Sequence, residues 1–379
     1  MYFTVPSCKR RLALAAVLLS ALVLAGCAVA PNTGSGSRSG HSGSSSTQTR
    51  DPLLDAPHHS ETTCTTDRPV TVLSRMSETP LVCDDLGVTT TLSKMRDAGL
   101  AKLRAAMENL GIDAVIIPTA DPHLSEYVPA HWSLRAALSG FTGSAGMLLV
   151  SAEDAALIAD SRYWEQAEKQ LPAEIALIRL TGSFLDHVTA WCEENLPQGS
   201  IVGYDPELMS LNLAEKLRSL LEDLGFEADA LAGERSLPLA DIWPDRPPLS
   251  MSPIRLMKRP GRSIVEKLEA VRSMMADKGA QSVFFSALDD VAWMTNLRGS
   301  DVPCNPVFLA YLLVERDSAE LFVDAERLSA EAARAIADAG IATVSPSTLH
   351  EALAAAALRG QVMLDPDHTN SLLAALVPP

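Results

Sequence analysis

The sequence has few basic residues for its length. Lys and Arg total 31 in 379 residues, against 47 Asp and Glu, so the formal net charge is −16. The only basic cluster is Lys9-Arg10-Arg11, close to the N-terminus. Proteins that bind nucleic acid carry basic surfaces that neutralise phosphates, so this charge balance disfavours nucleic acid as a partner.

The short motifs of several common active sites are also absent. The sequence has no Gly-x-x-x-x-Gly-Lys-Ser/Thr phosphate loop, no His-Glu-x-x-His and no Cys-x-x-Cys. The stretch LSGFTGSAGMLLV at 138–150 looks like a functional glycine loop, but it runs into an apolar strand rather than a helix, which excludes a phosphate cradle. A nucleophile elbow needs glycine two residues before the serine, and Thr142 stands there. We therefore expect a glycine turn that feeds a central strand.

The apolar run at 12–24 is too short for a comfortable membrane span. It follows the basic cluster and ends in Leu-Ala-Gly-Cys, which is the order of a secretory signal peptide and resembles the bacterial lipoprotein box. This resemblance implies lipidation at Cys27. We predict a signal peptide over 1–27 and a flexible Ser/Gly/Thr-rich tether over 28–90. The expected location is a bacterial membrane, reached only through the lipid, or the cytoplasm if the box is not genuine.

The six cysteines fall into three groups. Cys8 and Cys27 belong to the export segment. Cys64 and Cys83 flank a short polar stretch, and the sequence leaves open whether they pair. Cys192 and Cys304 look like isolated thiols in or near a core.

From about residue 97 the pattern alternates between helix and strand, as in an α/β fold. Leu100, Leu103, Met107 and Leu110 have helical spacing, Gly111 is placed to end that helix, and 114–117 reads as a buried strand. The same unit recurs later. Ser263 and Glu266 form a possible capping box, Gly279 ends the helix, and 282–285 is the strand.

Five landmarks recur in the same order, and they predict two tandem copies of one α/β domain. We place domain I at 91–250 and domain II at 251–379, joined by a proline-rich connector. Relative to domain I, domain II is expected to be truncated at its C-terminal end. An apolar helix at 371–377 would then have little after it to pack on. The matched pairs include Gly143-Ser144 with Gly299-Ser300, Asp160 with Asp324, and Asp205-Pro206 with Asp365-Pro366.

These landmarks resemble the N-terminal two domains of Xaa-Pro aminopeptidase, the aminopeptidase P group of the creatinase/prolidase superfamily. The resemblance is densest at 121–146, 159–171 and 288–314. It implies two creatinase-like domains, each a mixed sheet flanked by helices. In the family these precede a pita-bread domain, which holds two divalent metals, typically manganese, and removes the residue before proline. The expected fold class is therefore α/β with two tandem creatinase N-terminal-like domains and with the pita-bread catalytic domain absent.

Nothing in the sequence assembles a metal site. His123 and His131, with Asp121 and Glu126, lack the tight ligand spacing of zinc motifs, and the eight histidines include no ligand-rich segment. We expect no catalytic residue, no metal and no cofactor within this chain.

Two groups of residues are candidates for substrate binding. The resemblance implies that Arg162, in the segment Asp160-Ser161-Arg162-Tyr163, reaches the peptide substrate, and a guanidinium fork suits a peptide carboxylate or carbonyl. The alternative is an Asp–Arg ion pair that only steadies the domain. Arg298, Asp301 and Asn305 form the second group. They lie either on a loop that faces the substrate cleft or the absent domain, or in turn and cap structure.

The predicted function is the non-catalytic N-terminal portion of an Xaa-Pro aminopeptidase-like protein, contributing substrate gating and domain packing. Its expected partners are a peptide with proline in second position and a pita-bread catalytic domain. Two alternatives stay open: a membrane-tethered pseudo-enzyme that binds peptide or protein, and a fragment or misjoined gene model.

Overall fold

The structure is a computed structural model and describes residues 85–378, with side chains described from residue 96 onward. The predicted signal peptide, the lipidation site Cys27, the cysteines Cys64 and Cys83, and residues 28–84 of the predicted tether lie outside the described residues.

Domain I begins with the predicted helix and buried strand. Helix α1 (Asp85–Leu110) buries Leu100, Leu103 and Met107. Gly111 follows it with a φ of 66°, a left-handed conformation that glycine adopts without the steric cost of a Cβ atom. Strand β1 (Ala114–Pro118) is buried along its whole length.

A six-stranded mixed sheet forms the centre of domain I. The remaining elements are α2 (Leu134–Ser139), β2 (Met147–Ser151), β3 (Ala155–Ala159), α3 (Trp164–Gln170), β4 (Ala176–Arg179), α4 (Phe184–Asn195), β5 (Ile201–Tyr204), α5 (Leu211–Asp223), β6 (Glu227–Ala230) and α6 (Leu239–Ile242). The strand order is β4-β3-β2-β1-β5-β6. One face of the sheet packs against α1, α2, α3 and α6, and the other packs against α4 and α5.

Domain II is built from a second set of helices and strands: β7 (Arg255–Leu256), α7 (Ile264–Lys278), β8 (Ser282–Phe285), α8 (Leu288–Thr295), β9 (Leu297–Arg298), β10 (Tyr311–Glu315), β11 (Ala319–Phe322), α9 (Ala330–Asp338), β12 (Ala342–Val344), α10 (Leu349–Arg359), β13 (Val362–Met363) and α11 (Ser371–Ala374). Its five-stranded sheet has the order β12-β11-β10-β8-β13, and β7 pairs with β9 outside this sheet. The predicted capping box of Ser263 and Glu266 is present at the start of α7, and Gly279 ends that helix in the left-handed conformation.

The two sheets share one topology. In domain I, β1 lies between β2, which is antiparallel, and β5, which is parallel; in domain II, β8 lies in the same way between β10 and β13. The register agrees as well, because Val115 pairs with Val150 and Val283 pairs with Val314. The predicted tandem repeat is therefore confirmed at the level of strand pairing.

The two copies contact each other through reciprocal backbone hydrogen bonds. The Leu211 amide donates to the Thr369 carbonyl at 3.1 Å, and the Ser371 amide donates to the Met209 carbonyl at 2.8 Å. Two further bonds complete the exchange, from Asn212 to Pro366 at 3.1 Å and from Leu372 to Pro206 at 3.2 Å. The equivalent residues are 160 positions apart (209 and 369, 211 and 371). The contact is thus a pseudo-two-fold pairing of the same segment in both copies.

This contact also explains the last helix. We predicted an apolar helix over 371–377 with little to pack on, and α11 is shorter, Ser371–Ala374. The expectation of poor packing was wrong, because Leu373 and Ala374 are buried and α11 packs against α5 of domain I. The surface on which α11 packs belongs to domain I, and local patterns in the sequence do not indicate this contact.

Candidate functional site

Arg162 lies in the turn between β3 and α3 and presents its guanidinium to solvent. Its Nε donates to Asp160 Oδ1 at 3.1 Å and its Nη2 donates to Asp160 Oδ2 at 2.7 Å. The Arg162 amide also donates to Asp160 Oδ1, at 2.9 Å. The arginine side chain nevertheless remains 63% exposed. Asp160 therefore fixes one edge of the guanidinium fork and leaves the other edge open.

The same pairing sets the charge state of both residues. Hydrogen bonds from the Arg162 side chain hold the pKa of Asp160 below its ordinary value. The pKa of Arg162 is raised, first by the hydrogen bonds with Asp160 and second by the negative charge of Asp160. Both groups are therefore ionised at neutral pH, and the open edge of the fork is a fixed cationic donor.

The glycine turn contacts Tyr163, whose ring lies against the guanidinium of Arg162. The guanidinium carbon of Arg162 lies 5.3 Å from the ring centre of Tyr163, and the Tyr163 hydroxyl bonds Ser144 Oγ at 2.7 Å. Phe141 packs edge-on against the Tyr163 ring with centroids 5.8 Å apart. A Cβ atom at Gly143 would stand 2.3 Å from the Phe141 ring, so glycine is needed there. Sequence reasoning located Arg162 but missed the supporting contact between Tyr163 and Ser144.

The second candidate group is tied into the fold of domain II. Arg298 is half-buried, and its Nη1 donates to the carbonyls of Ala292 and Leu297, both at 2.7 Å. The Asn305 amide donates to the Val302 carbonyl at 3.2 Å and closes a tight turn. Cys304 stands in that turn with a φ of 59°.

Asp301 is the most deeply buried of the candidates. Its carboxylate accepts hydrogen bonds from Ser252 Oγ and, at 2.7 Å, from the Leu309 amide, and it forms a buried ion pair with Arg327. Burial raises the pKa of Asp301, but the hydrogen bonds from Ser252, the Leu309 amide and Arg327 outweigh burial and leave the pKa below the ordinary value. This carboxylate holds together segments of domain II.

The structure brings Asp160 and Arg162 into direct contact, whereas Arg298, Asp301 and Asn305 each contact other parts of domain II. The substrate-binding roles of all five stay predictions.

The predictions for the two cysteines Cys192 and Cys304 have different outcomes. Cys192 is buried in the core of domain I, as predicted, but the prediction was wrong for Cys304, which the tight turn leaves exposed.

The described residues do not form the two-metal site that the family resemblance implies for a pita-bread domain. Across 96–378, no three His, Cys, Asp or Glu side chains stand close enough to hold a metal ion. His123 and His131 have separate partners: His123 Nδ1 bonds the Ser286 carbonyl at 2.9 Å, and His131 Nδ1 bonds the Pro247 carbonyl at 2.6 Å. We therefore assign no chemical step to a metal within this part of the chain.

Comparisons with protein-family profiles and with curated proteins find relatives of the same kind. Two family profiles, both described as Creatinase/Prolidase N-terminal domain, match residues 100–233 and 245–379. Aminopeptidase P2 of Arabidopsis thaliana is 38% identical over 265 residues, which are 69% of this chain and 37% of the plant protein. Xaa-Pro aminopeptidase ApepP of Drosophila melanogaster is 38% identical over 244 residues, 63% of this chain and 39% of the fly protein.

One solved structure extends the match to three dimensions. X-prolyl aminopeptidase from Caenorhabditis elegans, described as a cytosolic enzyme with a di-nuclear active site, superimposes with a TM-score of 0.68 at 26% identity. The match covers 75% of this chain and 48% of the worm enzyme. The chain thus spans less than half the length of these relatives. It belongs to the aminopeptidase P family, and residues 100–233 and 245–379 are its two creatinase/prolidase N-terminal domains.

Proposed function

We propose that this chain forms the substrate-positioning N-terminal portion of an Xaa-Pro aminopeptidase, in which Arg162 binds the peptide. The observation that carries the proposal is the geometry of Arg162: one edge of the guanidinium is bound by Asp160, and the other faces solvent on a side chain that is 63% exposed. The relatives whose names describe Xaa-Pro aminopeptidases support the substrate class, a peptide with proline in second position.

The chemistry of this arrangement favours binding over catalysis. A guanidinium that stays charged can donate two parallel hydrogen bonds to a peptide carboxylate or carbonyl, and prior fixation by Asp160 lowers the entropy lost on binding. The fork neither accepts a proton nor activates water. We therefore assign the hydrolytic step to a pita-bread catalytic domain that acts together with this chain.

A chimera tests the assignment. Residues 85–379 replace the matching part of Arabidopsis aminopeptidase P2, and release of the first residue from an Xaa-Pro peptide is measured. Arg162→Ala should lower kcat/KM by roughly 10- to 100-fold, the loss expected for a charge-assisted hydrogen bond. Arg179→Ala is the matched control, because Arg179 is also an exposed arginine of domain I paired with one acid, Glu168. Equal effects of the two substitutions would contradict the role of Arg162.

The lipid anchor at Cys27 stays a prediction beside this proposal. Within residues 85–378, no helix is long and apolar enough to cross a membrane. If the lipoprotein box is genuine, the mass of the native N-terminal peptide should equal that of an acylated Cys27, and an unmodified N-terminus elsewhere would disprove the anchor.

A further inference from the structure

The fold gathers basic side chains on one surface of domain II. Lys9-Arg10-Arg11 is the only run of three consecutive basic residues in the sequence, but residues 255–267 hold five Lys or Arg and a single acid, Glu266. Strand β9 pairs with β7 and places Arg298 opposite Arg255. We call this surface the basic face and define it by Arg255, Lys258, Arg259, Arg262, Lys267 and Arg298. It is a positive surface on a chain whose formal net charge is −16.

No carboxylate pairs with the cations of the basic face. Within residues 96–378, no Asp or Glu oxygen comes within 4.0 Å of a side-chain nitrogen of these six residues. Glu266 is engaged elsewhere, because its carboxylate accepts hydrogen bonds from the amide and the hydroxyl of Ser263, both at 2.7 Å. The pKa of Lys267 is lowered to about 8, first by burial and then by the positive charges of Arg298 and Arg262. The positive charge of this surface is therefore not neutralised by the fold.

Exposed apolar side chains lie among these cations. Trp293 is 49% exposed, Met257 36% and Val265 45%. The Lys267 Nζ lies 4.3 Å from the ring centre of Trp293, so this indole belongs to the basic face. A tryptophan ring is apolar with one polar N–H group, which suits it to the layer between lipid headgroups and acyl chains.

Asn296 fixes the basic and apolar side chains next to each other. It ends α8 in the left-handed conformation, with a φ of 54°. Its backbone carbonyl accepts the Met257 amide at 2.8 Å, and its Nδ2 donates to the Arg262 carbonyl at 2.9 Å. Its Oδ1 accepts a hydrogen bond from Lys267 Nζ. The loop at 257–262 is thus tied to the end of α8, only three residues after Trp293.

We infer that the basic face binds an anionic lipid bilayer, with Lys258, Arg259 and Arg262 on the headgroups and Trp293 and Met257 in the interfacial layer. Clustered Lys and Arg beside exposed aromatic and apolar side chains are typical of surfaces that lie on anionic membranes. The inference does not depend on the peptidase proposal.

An acidic protein would match the charges too, but the predicted lipid anchor favours the bilayer. A tether over 28–90 would have an average end-to-end distance of about 40–50 Å if it is flexible. Domain II would then stay close to the membrane that holds Cys27, and a surface of modest intrinsic affinity would be sufficient for contact, because its effective concentration there is high.

Vesicle sedimentation tests the inference with residues 28–379, which lack the basic and apolar segment at 1–27 and keep the compact unit that starts at residue 85. Vesicles of phosphatidylcholine with about 30% phosphatidylglycerol should bind the protein at least about tenfold more tightly than phosphatidylcholine alone. Binding should shift tryptophan emission to shorter wavelength, and about 0.5 M NaCl should abolish it. Equal affinity for the two kinds of vesicle would overturn the inference.

Variants locate the surface. The double variant Lys258→Gln/Arg259→Gln should weaken binding to the anionic vesicles at least about tenfold. Lys216→Gln/Arg218→Gln is the matched control, because it removes two exposed basic residues from α5 of domain I, and it should leave the affinity unchanged. Equal losses in the two double variants would overturn the assignment to the basic face.

Two further measurements distinguish the bilayer from other partners. Trp293→Leu should abolish the shift in tryptophan emission, because Trp293 is the tryptophan that we place in the interfacial layer. Thermal melting confirms that each variant is folded. Poly-L-glutamate is the probe for an acidic polypeptide, and binding to it without binding to the anionic vesicles would overturn the inference.

Discussion

Asp160 and Asp301 each pair with an arginine, but in opposite environments. Asp160 and Arg162 meet at the surface, where water screens both charges and the pair adds little to stability. Asp301 and Arg327 meet in the interior, with side chains 0% and 6% exposed. A buried pair is costly to break, because the remaining charge has no water to solvate it. The exposed pair is accessible to a ligand, whereas the buried pair stabilises the fold.

Replacing Asp301 by Asn should therefore lower the free energy of unfolding by about 3–5 kcal/mol, because Arg327 is left buried without a counter-ion. Since the folded pKa of Asp301 is below the unfolded one, its contribution is complete above the ordinary aspartate range, about pH 4, and is lost as the pH falls below it. Urea unfolding measures both effects. Glu165→Gln, in the exposed pair with Lys169, is the control and should change stability by less than about 0.5 kcal/mol. A loss of that small size for Asp301→Asn would disprove the role of the pair.

The sequence identified these residues but could not assign their roles. A set of polar residues between two apolar runs is compatible either with a ligand-binding loop or with a structural turn. The contacts that decide for Asp301 come from Ser252 and Arg327, which are 49 and 26 residues away. Likewise, Tyr163 meets Ser144 across 19 residues. Asp205 was identified only as a landmark of the repeat, because its burial results from tertiary contacts that no local pattern reveals.

Among the elements, the ends of helices and the central strands were predictable because their signals are local. The capping box at Ser263, the left-handed glycines and the strand 282–285 stand where the pattern placed them, and the strand predicted at 114–117 extends one residue further, to Pro118. The pairing of β7 with β9 and the short helix α6 were not predicted. Strands of two residues and a helix of four have no periodicity to detect, and tertiary contacts alone create them.

Gly299, the counterpart of Gly143 in the repeat, shows why such a turn requires glycine. A Cβ atom there would stand 2.6 Å from Phe308 Cβ and 3.0 Å from the Val307 carbonyl, and neither neighbour can rotate away. Gly299→Ala should therefore destabilise the protein by about 1–3 kcal/mol. Gly261→Ala is the control, because no atom lies within 4 Å of its Cβ position and stability should be unchanged or rise by up to about 1 kcal/mol. Equal unfolding midpoints in urea for the two variants would contradict this account.

At the scale of the whole described part, residues 85–378 form an internal pseudo-dimer, and the interface between its two copies buries a titratable group. His123 of domain I bonds the Ser286 carbonyl of domain II at 2.9 Å and stacks on Tyr311 with ring centroids 4.1 Å apart. Asn370 of domain II donates to the Pro122 carbonyl at 2.7 Å beside it. No local pattern in the sequence indicates such a contact, because it joins residues more than 160 positions apart.

Burial lowers the pKa of His123, and the charges of Asp121 and Asp301 and the Ser286 carbonyl only partly oppose this effect. The unfolded chain therefore binds a proton more readily than the folded one, so this histidine favours folding above about pH 6.5 and loses that contribution as the pH falls through its folded pKa. Asp205 and Asp290 act in the opposite direction, because burial raises the pKa of each to about 6 and stability is lost as the pH rises through that value. The net pH profile thus combines opposing contributions.

The difference between wild type and His123→Gln isolates the histidine. Wild type should lose stability relative to the variant as the pH falls from about 7.5 to 5, by at most about 1.4 kcal/mol per pH unit for one proton. Urea unfolding at a series of pH values measures this difference. His350→Gln, at an exposed position on α10, controls for the simple loss of a histidine. A difference between wild type and His123→Gln that stays constant across this range would show that proton binding at the interface does not contribute to holding the two copies together.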